Sequence, residues 1–181
     1  RPDDDGRYPI VMSFGVYGKD VHFEDSFTPQ WQKLKSIYPE IDQNGTSGQY
    51  LRWEIPDPER WVPDGFIIVV VDSRGSGQSP GYLDLYSPQE TRDYFECIEW
   101  AGVQEWSNGK VGLLGISYLA IKQWQVAALN PPHLAAIIPW EGAVDQYRDV
   151  LRHGGILSNT FIFVGITNTF LYFYFLIPLT F

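Results

Sequence analysis

A single cysteine, Cys97, in 181 residues excludes an internal disulfide and any Cys-rich zinc site, and so permits a reducing, cytoplasmic setting. Positive charge is scarce: 13 Lys and Arg stand against 22 Asp and Glu, a formal net charge of -9. That balance disfavours nucleic acid or an anionic membrane surface as a partner, and no basic stripe interleaved with aromatics opposes it. No charged-then-apolar leader follows Arg1, so no secretory signal is expected here, and without an initiator Met the start is expected to be incomplete. Charge vanishes altogether from Gly154 to Phe181. What is present is ample material for one core: 44% apolar residues, 16% aromatic, as in a globular domain.

Four apolar runs read as strands: Tyr8 to Phe14, Phe66 to Val71, Lys110 to Gly115 and Leu134 to Pro139. Several are near-continuous and β-branched, the pattern of strands covered on both faces of a parallel sheet. Ser87-Pro88-Gln89-Glu90 predicts a helix start, with Ser87 as cap, Pro88 at the first position and Glu90 completing a capping box. Tyr94, Ile98 and Ala101 continue it at helical spacing. A second helix is expected from Tyr118 to Leu129, stopped by Asn130-Pro131-Pro132. Residues 24 to 63 show little period and read as a long excursion with one short helix. Strand and helix alternate as in a doubly wound α/β sheet, which gathers its loops at the carboxyl edge of the strands.

At that edge Gly115-Ile116-Ser117-Tyr118-Leu119 puts a serine between strand and helix. A serine in so sharp a turn is exposed to attack a carbonyl, and the N–H of the next residue faces the oxygen that becomes negative. Ser117 is therefore the candidate nucleophile and the Tyr118 N–H a candidate oxyanion donor, although Leu119 stands where G-x-S-x-G has its second glycine. Two more loops should meet Ser117: Asp72 to Ser79 after the second strand, and Phe14 to Lys19 after the first, where Tyr17 could supply the second donor.

The segment Gly115-Ile116-Ser117-Tyr118-Leu119-Ala120 through Gln123-Trp124, together with Asp72-Ser73-Arg74-Gly75-Ser76-Gly77-Gln78-Ser79, resembles the G-x-S-Y-x-G…Q-W and D-x-R-G-x-G-x-S motifs of the cocaine esterase and Xaa-Pro dipeptidyl-peptidase-like α/β-hydrolases. The resemblance implies that Tyr17, in Val16-Tyr17-Gly18-Lys19, donates its hydroxyl to the oxyanion. Ala120 replaces a family glycine and Val16 a family proline. It also implies an α/β-hydrolase core truncated before the helical cap and the strands that carry the triad acid and His. Residues 1–158 are then a partial catalytic domain, and 159–181 an uncharged aromatic tail of uncertain origin, read as a buried hairpin or an extraneous segment.

The expected function is that of a serine hydrolase acting through an acyl-enzyme on a small ester or peptide, Xaa-Pro dipeptidyl substrates included, with no cofactor or metal. The catalytic residues are Ser117, Tyr17 and Tyr118. One alternative is a catalytically incomplete hydrolase fragment, because no acid and base can be identified. A less favoured one is a membrane-tethered binding module using the tail, whose length suits a bilayer but whose polar interruption and Pro178 do not. Asp149 and His153, i and i+4 on an expected helix, read as a surface ion pair ahead of a catalytic base. His22 and Glu24 lack a third metal ligand and read as a solvated loop. The glycines after Arg74 match neither a dinucleotide nor a Walker spacing. Asp72 and Arg74 are expected to pair and fix their loop, and Trp100, Trp106, Trp124 and Trp140 to lie mostly in the core, with Tyr82 and Trp140 placed to line an apolar pocket.

Overall fold

The computed structural model describes residues 1–159 except 42 and 44; the aromatic tail therefore lies outside the described residues. Four strands, β1 (Tyr8–Gly15), β2 (Ile67–Asp72), β3 (Ser107–Ile116) and β4 (Leu134–Trp140), form one sheet in the order β2-β1-β3-β4. Every neighbouring pair is parallel, with Ile10 opposite Ile67, Met12 opposite Leu113 and Leu114 opposite Ile138. Parallel neighbours need crossovers: a long excursion joins β1 to β2, α4 (Pro88–Gly102) leads into β3 and α5 (Tyr118–Ala127) into β4. Both helices pack on β3. Alternate residues of β1, Ile10, Met12 and Phe14, meet Tyr94, Ile98 and Ala101 of α4 and Val126 of α5 in one buried cluster. Phe14 stacks on Tyr94 at 4.5 Å between ring centroids.

The helix start at Ser87 forms as its sequence requires, with Ser87 Oγ accepting the Glu90 N–H at 3.1 Å and Pro88 at the first position. The excursion is more ordered than its weak period suggests. It holds α1 (Phe23–Ser26), the ten-residue α2 (Thr28–Ile37) and α3 (Pro58–Trp61), so the expectation of a single short helix is corrected. These helices are short and gain their order from ring packing: Trp31, Phe23, Trp53 and Phe27 contact one another in turn, ending in a Phe27–Trp53 stack at 4.1 Å. Packing of this kind leaves no 3.6-residue signature.

Coverage on both faces does not extend to the edge of the sheet. In β4, Ala135 and Ala136 are exposed, as are Trp124 and Trp140, at 41% and 59%. Trp100 is exposed too, so of the four tryptophans expected in the core Trp106 alone packs against it. The reason is geometric: β4 has a neighbour on one side only among the described residues. Tyr82 is exposed. Beyond β4, a π-helical turn (Tyr147–Leu151) and the hairpin of β5 (Arg152–His153) and β6 (Ile156–Leu157) complete the described chain.

Candidate active site

Ser117 sits at φ 55°, ψ -115°, a backbone conformation that L-residues rarely adopt, between β3 and the first residue of α5. Its N–H is held by the Trp140 carbonyl at 3.0 Å, and its own carbonyl accepts the Ala120 and Ile121 N–H groups at 3.0 Å each. The turn is thus fixed from the strand on one side and the helix on the other. Tyr118 occupies the first helical position, where a backbone N–H has no intrahelical acceptor.

The close approach that this turn demands depends on two glycines. A Cβ on Gly115 would lie 2.4 Å from that of Leu119, so Leu119 fills the room its neighbouring glycine leaves. That is how the turn does without the second glycine of G-x-S-x-G. Likewise a Cβ on Gly142 would come within 2.8 Å of the Ala120 Cβ. The methyl group that Ala120 adds is accommodated by Gly142 across from it.

The three expected loops do converge. The Tyr17 ring lies edge-on to Tyr118 at 6.5 Å, which brings the Tyr17 loop to the residue after Ser117. Burial, then the negative charge of Glu54, raises the pKa of the Tyr17 hydroxyl above its ordinary value, so it stays a proton donor. Asp72 grips the Tyr17 loop by accepting the Lys19 N–H at 2.7 Å and reaches its own loop through the Gln78 N–H at 3.3 Å. Arg52 holds the same segment through the Lys19 carbonyl at 3.1 Å. The expected Asp72–Arg74 pair does not form; Arg74 instead makes a bidentate pair with Asp93 of α4, both contacts at 2.7 Å. Asp72 is buried facing backbone donors, whereas Arg74 stays partly in solvent where Asp93 can reach it.

Glu90 was legible only as a cap, and it is the hub of the site's support. Its carboxylate does not close the capping box on Ser87. It accepts Ser73 Oγ at 2.7 Å, the Tyr86 N–H at 2.8 Å and the Tyr118 hydroxyl, and pairs with Lys122 Nζ at 3.1 Å. Lys122 is fully buried on α5 and also reaches Thr91 Oγ1 at 3.2 Å. Burial lowers the lysine pKa while the Glu90 charge opposes that shift. Tyr86, ring centroid 4.7 Å from that of Tyr118, closes the group. One carboxylate thereby ties the second loop, the start of α4 and the side chain beside the nucleophile. Gln123 of the Gln123-Trp124 pair has a similar task, donating to the Ile138 carbonyl at 3.4 Å and accepting its N–H at 3.0 Å, which pins α5 to β4.

Each histidine of the described residues is engaged away from Ser117. His22 caps α1, its Nδ1 accepting the Glu24 N–H at 3.1 Å and its Nε2 lying 2.8 Å from the Gly48 carbonyl, so it ties two segments together. His133 Nδ1 meets Glu99 at 2.8 Å. His153 Nε2 contacts the backbone carbonyl of Asp149, not its carboxylate, which is taken by the N–H groups of Val144 and Asp145 at 3.1 and 2.9 Å. The expected ion pair is therefore absent, because the turn there is π-helical and presents a carbonyl instead. Among the described residues no group of three or more His, Cys, Asp or Glu could hold a metal ion.

Comparison with known proteins bears on this arrangement. A CocE/NonD family hydrolase from Staphylococcus aureus is 42% identical and superposes with a TM-score of 0.78 over 96% of this chain, which spans 29% of that structure. Cocaine esterase from Rhodococcus sp. (strain MB1 Bresler) is 29% identical over 148 residues, 82% of this chain and 21% of its own length. A putative Xaa-Pro dipeptidyl-peptidase from Rhodopirellula baltica is 26% identical over 182 residues, covering 84% of this chain and 29% of that protein. The chain thus spans less than a third of these relatives, and its sheet is the α/β-hydrolase sheet they share. The family model for X-Pro dipeptidyl-peptidase (S15 family) matches residues 1–172, and the chain belongs to that family.

Proposed function

We propose that this chain carries the nucleophile and oxyanion half of a serine hydrolase site for small ester or amide substrates. The observation that carries the reading is the strained Ser117 turn, with the Tyr118 N–H at the start of α5 and Tyr17 packed edge-on to Tyr118. As Ser117 Oγ bonds to the acyl carbon its hydroxyl proton passes to a general base, which later returns it to the leaving group, and the C–O π pair moves onto the carbonyl oxygen. Tyr17 and the Tyr118 N–H then stabilise that charge by donating to it, which in a site of low dielectric is worth far more than in water. Collapse expels the alcohol or amine, which takes up a proton. Water then repeats the sequence on the acyl-enzyme.

His22, His133 and His153 are each committed elsewhere, so the described residues offer Ser117 no histidine base. Ester cleavage resembles the activity named for cocaine esterase and amide cleavage that named for the Xaa-Pro dipeptidyl-peptidase relatives. The second reading, a catalytically incomplete chain, follows from the same missing base. A membrane-tethered module gains no support from the described residues, where no helix is long and apolar enough to cross a membrane.

A fluorophosphonate probe tests the proposal. Intact mass and peptide mapping should find one adduct, on Ser117, and none in Ser117→Ala. An unreactive folded chain would favour the incomplete-hydrolase reading, and equal labelling of Ser117→Ala would remove Ser117 as nucleophile.

A further inference from the structure

The loop that carries Tyr17 is held at both ends by two consecutive residues of its neighbour. Asp72 closes β2 opposite Gly15, the last residue of β1. Ser73 carries the pairing one step further, its N–H donating to the Gly15 carbonyl at 2.7 Å. On the far side of Tyr17 the Asp72 carboxylate accepts the Lys19 N–H at 2.7 Å. Only Val16, Tyr17 and Gly18 lie between these two ties. Gly18 makes the turn at φ 82°, and the Lys19 carbonyl beyond it accepts Arg52 Nε at 3.1 Å. Lys19 is thus gripped from opposite directions, by Asp72 at its N–H and by Arg52 at its carbonyl.

The second loop is in turn built around that carboxylate. Asp72 Oδ2 accepts the Gln78 N–H at 3.3 Å, and Ser79 Oγ donates to the Asp72 carbonyl at 2.7 Å. A Cβ on Gly77 would fall 1.9 Å from Asp72 Oδ2, so glycine alone leaves the carboxylate its place. Asp72 and Ser73 are both buried, where a carboxylate is costly unless donors face it. The donors it has are backbone N–H groups of two loops, an arrangement that fixes one loop against the other. A small cleft bordered by Gly15, Tyr17, Lys19, Asp72 and Leu119 lies where these loops meet the start of α5. Hydrogen bonds at its margin, more than close packing, therefore set where Tyr17 stands.

We propose that Asp72, with Arg52 opposite it, is a positioning residue for the Tyr17 oxyanion donor: by holding Lys19 it fixes the reach of the Tyr17 hydroxyl toward the Ser117 turn. Asp72 touches no reacting atom and exchanges no proton. An oxyanion donor works only within hydrogen-bond distance of the developing charge, and a misplacement of about 1 Å can cost about 10²-fold in rate. This rests on the reading of Ser117 as nucleophile and Tyr17 as donor, and its test separates the two.

Fluorophosphonate labelling rates are measured for Asp72→Ala and Asp72→Asn, each alone and combined with Tyr17→Phe, alongside NMR of ring-labelled tyrosine in which Tyr17→Phe assigns the Tyr17 signal. Asp72→Ala should slow labelling by about 10²-fold and move the Tyr17 resonance. Asp72→Asn keeps an oxygen for the Lys19 N–H and should recover most of the rate and the resonance. In a Tyr17→Phe chain, Asp72→Ala should cost no more than about a further twofold, because the donor it places is gone. A purely structural role would slow both backgrounds alike. Equal losses in the two, with Tyr17→Phe itself slow, overturn the proposal and leave Tyr17 as donor; so does a Tyr17 resonance unmoved in Asp72→Ala. If Asp72→Ala fails to fold, Arg52→Met must slow the parent and spare Tyr17→Phe, or the proposal falls. Tyr17→Phe labelling as fast as the parent would remove Tyr17 as donor and the proposal with it. A chain that never labels, while its Tyr17 resonance moves in Asp72→Ala and returns in Asp72→Asn, would refute the nucleophile reading and keep the hold on the Tyr17 loop.

Discussion

Ser117 holds its place at a cost in backbone energy. A left-handed non-glycine conformation of this kind costs on the order of 1–3 kcal/mol, and such residues persist where the surroundings force them. Five non-glycine residues have positive φ among the described residues; Glu54, Tyr86, Ser117 and Glu141 surround the site, and Asn130 follows α5. Ser117→Gly should therefore stabilise the fold by about 1 kcal/mol while Ser117→Ala does not, a difference that thermal denaturation will read. Tyr17→Phe removes one donor and should slow fluorophosphonate labelling by about 10²–10³-fold without loss of fold.

At this scale Ser117 and Tyr17 were legible in the sequence because each sits in a short loop directly after a strand. Glu54 was not. Its raised pKa comes from burial and from Glu141, a residue of a distant segment that it meets only after folding.

Elements carry a second kind of constraint, close approach. Gly142→Ala should destabilise by about 1–3 kcal/mol through contact with Ala120, and Ala120→Gly in the same chain should recover part of it. A double-mutant cycle on melting temperature checks the coupling. The Glu90–Lys122 pair yields a sharper contrast. Glu90→Ala leaves a buried ammonium without its counter-charge and should cost about 3–5 kcal/mol, whereas Glu90→Leu with Lys122→Met should cost much less, since a buried pair repays little beyond its own desolvation. The double variant should still label slowly, because the Tyr118 and Ser73 hydroxyls lose their shared acceptor.

The helix start at Ser87 could be read from four residues, as could the β1–β4 strands from their apolar runs. The wider use of Glu90 could not, because its partners Ser73, Tyr86, Tyr118 and Lys122 lie on other loops and on α5. The helices of the excursion escaped for a related reason: rings, not periodicity, hold them.

For the molecule as a whole, charge and edges decide behaviour. Glu54 has its pKa raised from 4.5 to about 8 by burial and then by Glu141, so between those values the folded chain keeps a proton that the unfolded chain has lost. Its contribution is full below pH 4.5 and is lost as pH rises through about 8. Melting temperature should therefore fall more between pH 5 and pH 8.5 in the parent than in Glu54→Gln. The exposed half of β4, with Trp124, Trp140 and Val144 beside it, offers apolar surface and an edge that is unpaired among the described residues. The 181-residue chain alone should self-associate with concentration in sedimentation velocity.

Peptide mapping after fluorophosphonate treatment tests the central claim most directly. The account predicts a single adduct on Ser117, slowed in Tyr17→Phe and absent in Ser117→Ala. An adduct on another residue, or undiminished labelling of Ser117→Ala, would contradict it.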